Sequence, residues 1–205
     1  MALAPRLDLR RALRQARARG AAFVPAALDE GFRRRLKREI ASGPFERFPR
    51  SFNRGLVRQE IDGFDIRDPM DGYPAVAELR DELAELIRYH GRGVPGLATW
   101  RPNEVGVARY RRGSLGITPH LDGRRYRRLV AVVTLFGNAR FAVCRNRSGD
   151  ILAEWQTGPG SLVLLRAPGL GGIRDGRPFH RVVGPPRGER CSLGFRMDVA
   201  PRAKA

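Results

Sequence analysis

Three histidines occur in this chain, and two of them stand where residue type and spacing can do chemistry. In the segment GITPHLDGRR, His120 and Asp122 are two residues apart just ahead of a strongly β-type run, and positions i and i+2 of an extended strand point to one face. One imidazole and one carboxylate can then share a metal ion. An HxD pair alone is weak evidence, but His180, in RPFHRVV, begins another β-type run that can return beside the first pair. Two imidazoles and a carboxylate on one face of an octahedral ion leave positions open for a co-substrate and for O2. This donor set is of intermediate softness and favours Fe(II), with Mn, Co or Zn as in vitro substitutes. The third histidine, His90, falls in the last turn of a predicted helix, where the helix dipole favours it, and it is read as structural.

The elements that must position these residues divide the chain in two. The first half is helical and loop-rich. LDLRRALRQARARG, from Leu7 to Gly20, has Leu7, Leu9, Ala12, Leu13 and Ala16 at near-helical spacing with arginines opposite and a glycine stop. A second helix is expected from near Asp29 through Phe32, Leu36 and Ile40 to the Gly43-Pro44 break. Residues 45–73, rich in Gly, Pro, Asp and Phe, read as loops with short strands and as the place for a substrate lid. Pro74 then opens the clearest helix, whose stripe of Val76, Leu79, Leu83, Leu86 and Ile87 is suited to covering a sheet before Gly91 ends it. From Asn103 the pattern changes to seven short β-type runs: EVGVARY, LVAVVTLF, RFAVCR, ILAEW, SLVLLRA, HRVV and CSLGFRMDV. Such a succession implies an antiparallel sandwich or barrel. The expectation is one domain over residues 1–205, α+β, with N-terminal helices packed on a β core at 101–200 and a frayed PRAKA tail.

The formal net charge is +18, a field that attracts phosphate-bearing or anionic partners. Its weight is reduced by the residue choice, because only Lys37 and Lys204 are lysines and every other cation is arginine, as biased codon usage would produce. The basic first helix is read either as a partner-binding arm or, with greater weight, as a helix with solvated charges. Cys144 and Cys191 lie in apolar strands without CxxC spacing, which argues for reduced structural thiols. No apolar stretch reaches the length of a membrane helix and the N-terminus lacks a signal-peptide pattern, so a cytoplasmic location is the expectation.

Downstream of His180, the strand RCSLGFR places Arg190, Ser192 and Arg196 on one face. An arginine fork on a rigid strand suits a bidentate carboxylate contact. The order HxD, about 57 residues, His, then Arg-x-Ser resembles the 2-oxoglutarate-dependent oxygenases. That resemblance implies a double-stranded β-helix (jelly-roll) fold with Fe(II), 2-oxoglutarate and O2 as cofactors. It also implies His120, Asp122 and His180 as metal ligands and Arg190 on the distal carboxylate of 2-oxoglutarate, assisted by Ser192. PNEVGVARYRRGSLGITPHLD and the Arg-x5-Arg ending are similar to the AlkB-like branch, which adds Tyr110 and Arg196 as 2-oxoglutarate contacts. The resemblance covers residues 103–199. One departure is Ala108, where that branch has an asparagine, and nothing N-terminal matches its base-recognition lid.

The reading is therefore a dioxygenase that hydroxylates or oxidatively demethylates a C–H bond. The retained carboxylate Asp122 argues against halogenation. Three substrate readings stay open: an AlkB-like enzyme acting on a nucleic-acid base, a hydroxylase of a small metabolite, amino acid or protein side chain, and a non-enzymatic basic nucleic-acid-binding β domain. Arg124, Arg125, Arg127 and Arg128 suit phosphates or an anionic small molecule in either enzymatic case.

Overall fold

The structure is a computed structural model and describes residues 1–200; the expected frayed tail at 201–205 lies outside the described residues. Three helices come first: α1 (Arg10–Arg19), α2 (Glu30–Ala41) and α3 (Pro74–His90). Between α1 and α2 lies strand β1 (Ala21–Val24), and between α2 and α3 lie β2 (Glu46–Arg47), β3 (Ser51–Phe52), β4 (Val57–Arg58) and β5 (Asp62–Arg67). The β core follows as β6 (Glu104–Tyr110), β7 (Ile117–His120), β8 (Tyr126–Phe136), β9 (Ala139–Cys144), β10 (Ile151–Thr157), β11 (Leu162–Arg166), β12 (Phe179–Val182) and β13 (Arg190–Asp198).

Each helix forms for a local reason, and two of its ends are decided by distant residues. Asp29 caps α2, its carboxylate accepting from the Phe32 N–H at 2.8 Å, a contact worth about 1 kcal/mol. Pro74 sits in the first turn of α3, but the free N–H groups there are met from another helix: Glu39 of α2 accepts from Ala75 at 2.8 Å and Val76 at 3.0 Å. The His90 ring is used structurally, its Nδ1 accepting from the Leu9 N–H at 3.1 Å where α1 begins.

A seven-stranded sheet runs in the order β1-β11-β8-β13-β6-β5-β2, and a four-stranded sheet runs β10-β9-β12-β7. Every pairing in both is antiparallel. The run of short strands implies an antiparallel sandwich or barrel, and the two sheets form the jelly-roll core that the family resemblance implies. Alternation along the strands of the large sheet separates two cores. Leu129, Ala131, Val133 and Leu135 of β8 meet the helices, together with Leu79, Leu83 and Ile87 of α3. The intervening Val130 faces the barrel interior with Val163, Leu165, Phe141 and Val182. Trp100, with no exposed surface, donates from its indole nitrogen to the Leu129 carbonyl at 2.8 Å and locks the loop after α3 against β8. No helix among the described residues is long and apolar enough to cross a membrane.

Two strands escaped the sequence pattern. β1, AAFV, is too short to show alternation and is fixed by its pairing with β11, Ala21 opposite Leu165 through Val24 opposite Leu162. β7 is ITPH, a proline-containing segment held between β12 and the bridge from Gln59 to Ile117. It ends at His120, so Asp122 lies past the ladder rather than within a strand as the i, i+2 argument supposed.

Candidate metal centre and co-substrate cavity

The register between β12 and β7 puts His180 directly opposite His120, and their ring centroids lie 4.2 Å apart. Asp122 follows in the turn, with its Oδ1 3.8 Å from His180 Nε2. One donor atom from each of the three residues falls within 4.8 Å of the other two. The orientation of each ring is fixed from behind. His120 Nδ1 donates to the Thr118 carbonyl at 3.0 Å, and His180 Nδ1 donates to the Pro178 carbonyl at 3.2 Å. A carbonyl can only accept, so each ring carries a proton on Nδ1 and turns its Nε2 toward the metal position. Phe141 stacks on His180 at 5.6 Å, and Phe52 meets His120 edge-on at 6.4 Å.

The electrostatics match a donor set waiting for a cation. Burial, reinforced by the neighbouring His180, pushes the His120 imidazole to about 4, so it is neutral near pH 7. Burial works against ionisation of Asp122, but His180, His120, Arg196 and Arg177 outweigh it and hold the carboxyl below its usual range. A neutral His120 and an ionised Asp122 have the protonation states that metal binding needs. Asp122 is also held through its backbone: Arg177, ion-paired with Asp175 at 2.9 Å, donates to the Asp122 carbonyl.

The triad opens into a cavity of about 370 Å³ between the sheets. Its floor is made by the inward face of β6 and β13, where Tyr110 pairs with Arg190, Ala108 with Ser192, and Gly106 with Gly194. The small residues in the middle of this face create the space, and a large residue stands at either end. Arg190 is wholly buried, yet no carboxylate is paired with it among the described residues. Its guanidinium donates to Ser192 Oγ at 3.0 Å and Thr134 Oγ1 at 3.2 Å, and lies 5.2 Å from the Tyr110 ring centroid. Its Nε has no partner, and burial pulls its pKa down. A buried cation satisfied only by hydroxyls is costly unless an anion completes it. The same burial pushes the Tyr110 phenol above its usual range, so it stays protonated as a donor.

Arg196, at the other end, is differently placed. It pairs with the buried Glu104 at 3.2 Å and the Tyr126 hydroxyl at 3.3 Å, and that hydroxyl in turn donates to Glu104 at 2.8 Å. Its guanidinium is therefore committed to the protein, whereas Arg190 is open to a ligand. All seven residues singled out in the sequence, Tyr110, His120, Asp122, His180, Arg190, Ser192 and Arg196, line this cavity. So does Ala108, which supplies room where an asparagine would supply a contact. Three of the four arginines following Asp122 have partners within the protein, although Arg124 and Arg125 keep much of their side chains in solvent. Arg124 pairs with Asp175 at 3.3 Å, Arg125 with Asp198 at 3.5 Å and Glu104 at 3.6 Å, and Arg128 donates to the Gly169 carbonyl at 2.9 Å.

Sequence reasoning missed Thr134, Phe52, Arg177 and the Glu104–Tyr126 pair. Thr134 carried a usable signal as the one polar residue among the apolar inward positions of LVAVVTLF. The others have none, because their roles come from contacts across the fold.

The fold and the triad together define a jelly roll with a two-histidine, one-carboxylate centre. Among solved structures, the chain is similar to a Pseudomonas putida prolyl-4-hydroxylase, with TM-score 0.62, 18% identity and 93% of this chain covered against 98% of that one. It is similar to a 2OG-Fe(II) oxygenase family oxidoreductase from Burkholderia pseudomallei, with TM-score 0.62, 18% identity and 93% and 91% covered. A Trichoplax adhaerens prolyl hydroxylase in complex with a hypoxia inducible factor oxygen degradation domain peptide fragment gives TM-score 0.61 at 17% identity, with 91% and 87% covered. At such identities the likeness is one of fold. No protein-family model and no curated protein matches the chain.

Proposed function

We propose that this protein is an Fe(II)- and 2-oxoglutarate-dependent dioxygenase that hydroxylates an aliphatic C–H bond, with a protein side chain as its substrate. The observation that carries the reading is Arg190, a buried guanidinium without a carboxylate in the same cavity as a preformed His-Asp-His donor set. A dicarboxylate with one end near the triad and the other at Arg190 neutralises that cation. His120, Asp122 and His180 would hold the iron, and Arg190, Ser192 and Tyr110 the distal carboxylate. Bound together, iron and 2-oxoglutarate supply the O2-dependent oxidation of a C–H bond coupled to oxidative decarboxylation to succinate.

The protein's own work is positional. Thr118 and Pro178 carbonyls orient the two imidazoles so that Nε2 of each faces the metal position, and Arg177 fixes the backbone of Asp122. Phe52 and Phe141 flank the histidines and limit water around them. No side chain need act as an acid or base, since the oxidation requires metal geometry and orientation.

A protein side chain is favoured because two of the similar structures are prolyl hydroxylases and one of those holds a peptide. Nucleic-acid base demethylation is a second reading, supported by the net charge of +18 and the AlkB-like motif run. The contacts of Arg125 with Asp198 and of Arg128 with the Gly169 carbonyl weaken it by leaving fewer cations there for phosphates. Succinate formation from 2-oxoglutarate with Fe(II) and ascorbate tests the enzyme reading. The wild type is expected to turn over and His120→Ala to be inactive. Equal signals from both proteins, with peptide and oligonucleotide substrates supplied, would overturn it.

A further inference from the structure

The hairpin β3–β4 stands over the metal centre and carries charge that the chemistry there does not use. From Arg47 to Gln59 the chain has four arginines and no acid. Arg50, Arg54 and Arg58 are exposed, and none has a carboxylate within 4.0 Å among the described residues. Arg125 and Arg177, by contrast, both have carboxylate partners, and Arg190 is buried where the hairpin arginines are exposed. The hairpin register pairs Ser51 with Arg58 and Phe52 with Val57. Alternation therefore sets Arg50 on the same side as Phe52, which reaches His120, and Arg58 on the opposite side.

The tip adds an independent observation. Arg54 has φ 56°, between Asn53 at 53° and Gly55 at 80°. Glycine adopts that left-handed conformation without steric cost and arginine does not. An arginine thus stands at the tip where the backbone favours glycine, so its side chain can be removed by glycine without straining the turn. The hairpin forms a two-stranded sheet of its own, so β3 pairs only with β4 and its outer edge is open to an extended chain.

We propose that the hairpin selects an acidic stretch of polypeptide, with carboxylates on Arg50 and Arg54, long-range attraction from Arg58, and Phe52 packed against the residue presented to the metal. This rests on the hydroxylase reading above and specifies its substrate class. The open backbone edge and the exposed Leu56 beside the tip suit a peptide. Phe52 is the single aromatic of the two hairpin strands, and the next ring of this stretch, Phe48, lies outside them.

The test is fluorescence anisotropy with the full chain loaded with Mn(II) and 2-oxoglutarate. The probes are a labelled 12-residue Glu/Ala peptide, its Lys/Ala counterpart and a 12-nucleotide single-stranded DNA. Arg54→Gly removes the side chain while relieving the backbone, so folding is retained; Arg50→Ala is the second variant, and Arg88→Ala on α3 is the control. The Glu/Ala peptide is expected to bind, to weaken about three-fold with each hairpin arginine removed, and to weaken again at raised salt. Arg88→Ala should match the wild type, and the Lys/Ala peptide should not bind. The proposal is overturned if the acidic peptide does not bind, if Arg54→Gly and Arg50→Ala bind it as the wild type does, or if DNA binds more tightly through the same arginines. Peptide binding without succinate formation would remove the dioxygenase reading and leave this surface standing. Succinate formation without arginine-dependent binding would do the reverse.

Discussion

Replacing Arg190 by methionine should separate what the residue does for the fold from what it does for a ligand, because the two effects have opposite signs. The guanidinium is wholly buried, and its acceptors within the protein are hydroxyls at 3.0 and 3.2 Å. Two such bonds to a charged group offset about 3–6 kcal/mol. Burying the charge without a carboxylate costs several kcal/mol, so the net contribution to stability lies near zero or below it. Methionine fills similar volume and removes the charge, at a cost of about 1 kcal/mol for each hydroxyl left without its partner. Arg190→Met should therefore melt within about 5 °C of the wild type, since 1 kcal/mol moves the midpoint of a domain this size by about 2–4 °C. The opposite holds for 2-oxoglutarate. Losing a buried charge-assisted pair costs about 3–5 kcal/mol, roughly 10²- to 10³-fold in Kd. Thermal melts with Mn(II), with and without 2-oxoglutarate, together with calorimetric titration, read both quantities. A variant that melts far below the wild type yet keeps the full 2-oxoglutarate-induced shift would refute the reasoning and make Arg190 a structural brace.

Three further outcomes follow from the geometry. Asp175→Asn should weaken metal binding several-fold without removing a ligand, because Arg177 loses the partner that aims it at the Asp122 carbonyl; titration with Mn(II) measures this. The hydrogen bond from Arg177 also lowers Asp175 to about 2 against an ordinary 3.8. That depressed carboxyl contributes stability that is present above pH 4 and lost as pH falls through 2. Partial exposure limits it to about 1 kcal/mol, which acid melts of the wild type and Asp175→Asn compare. Glu104→Gln should destabilise by about 2–4 kcal/mol in urea melts, because Glu104 is the buried counter-charge for Arg196 at 3.2 Å and Arg67 at 3.1 Å. A change below 0.5 kcal/mol would mean those cations are satisfied without it.

The sequence by itself determined the identity of the residues that meet in the cavity, and the reason is that their chemistry is local and ordered along the chain. Few residue types bind metal, and His120, Asp122 and His180 could be ranked by type and by the β-type runs that carry them. Alternation likewise placed Arg190, Ser192 and Arg196 on one face, because the period of a strand is fixed by its backbone. The three helices and the succession of core strands were legible through apolar spacing. The remainder was decided by contacts between segments far apart in sequence, which no local period encodes. Glu39 of one helix caps another, and a four-residue strand at 21–24 exists only because Leu162–Arg166 lies beside it. The arginines after Asp122 look alike in sequence, yet in the fold Arg125 and Arg128 meet Asp198 and the Gly169 carbonyl while Arg124 stays largely exposed. The two arginines of the last strand looked alike in sequence. Only the tertiary structure separates them, giving Arg196 a buried glutamate and leaving Arg190 with hydroxyls alone, open to an anion from outside.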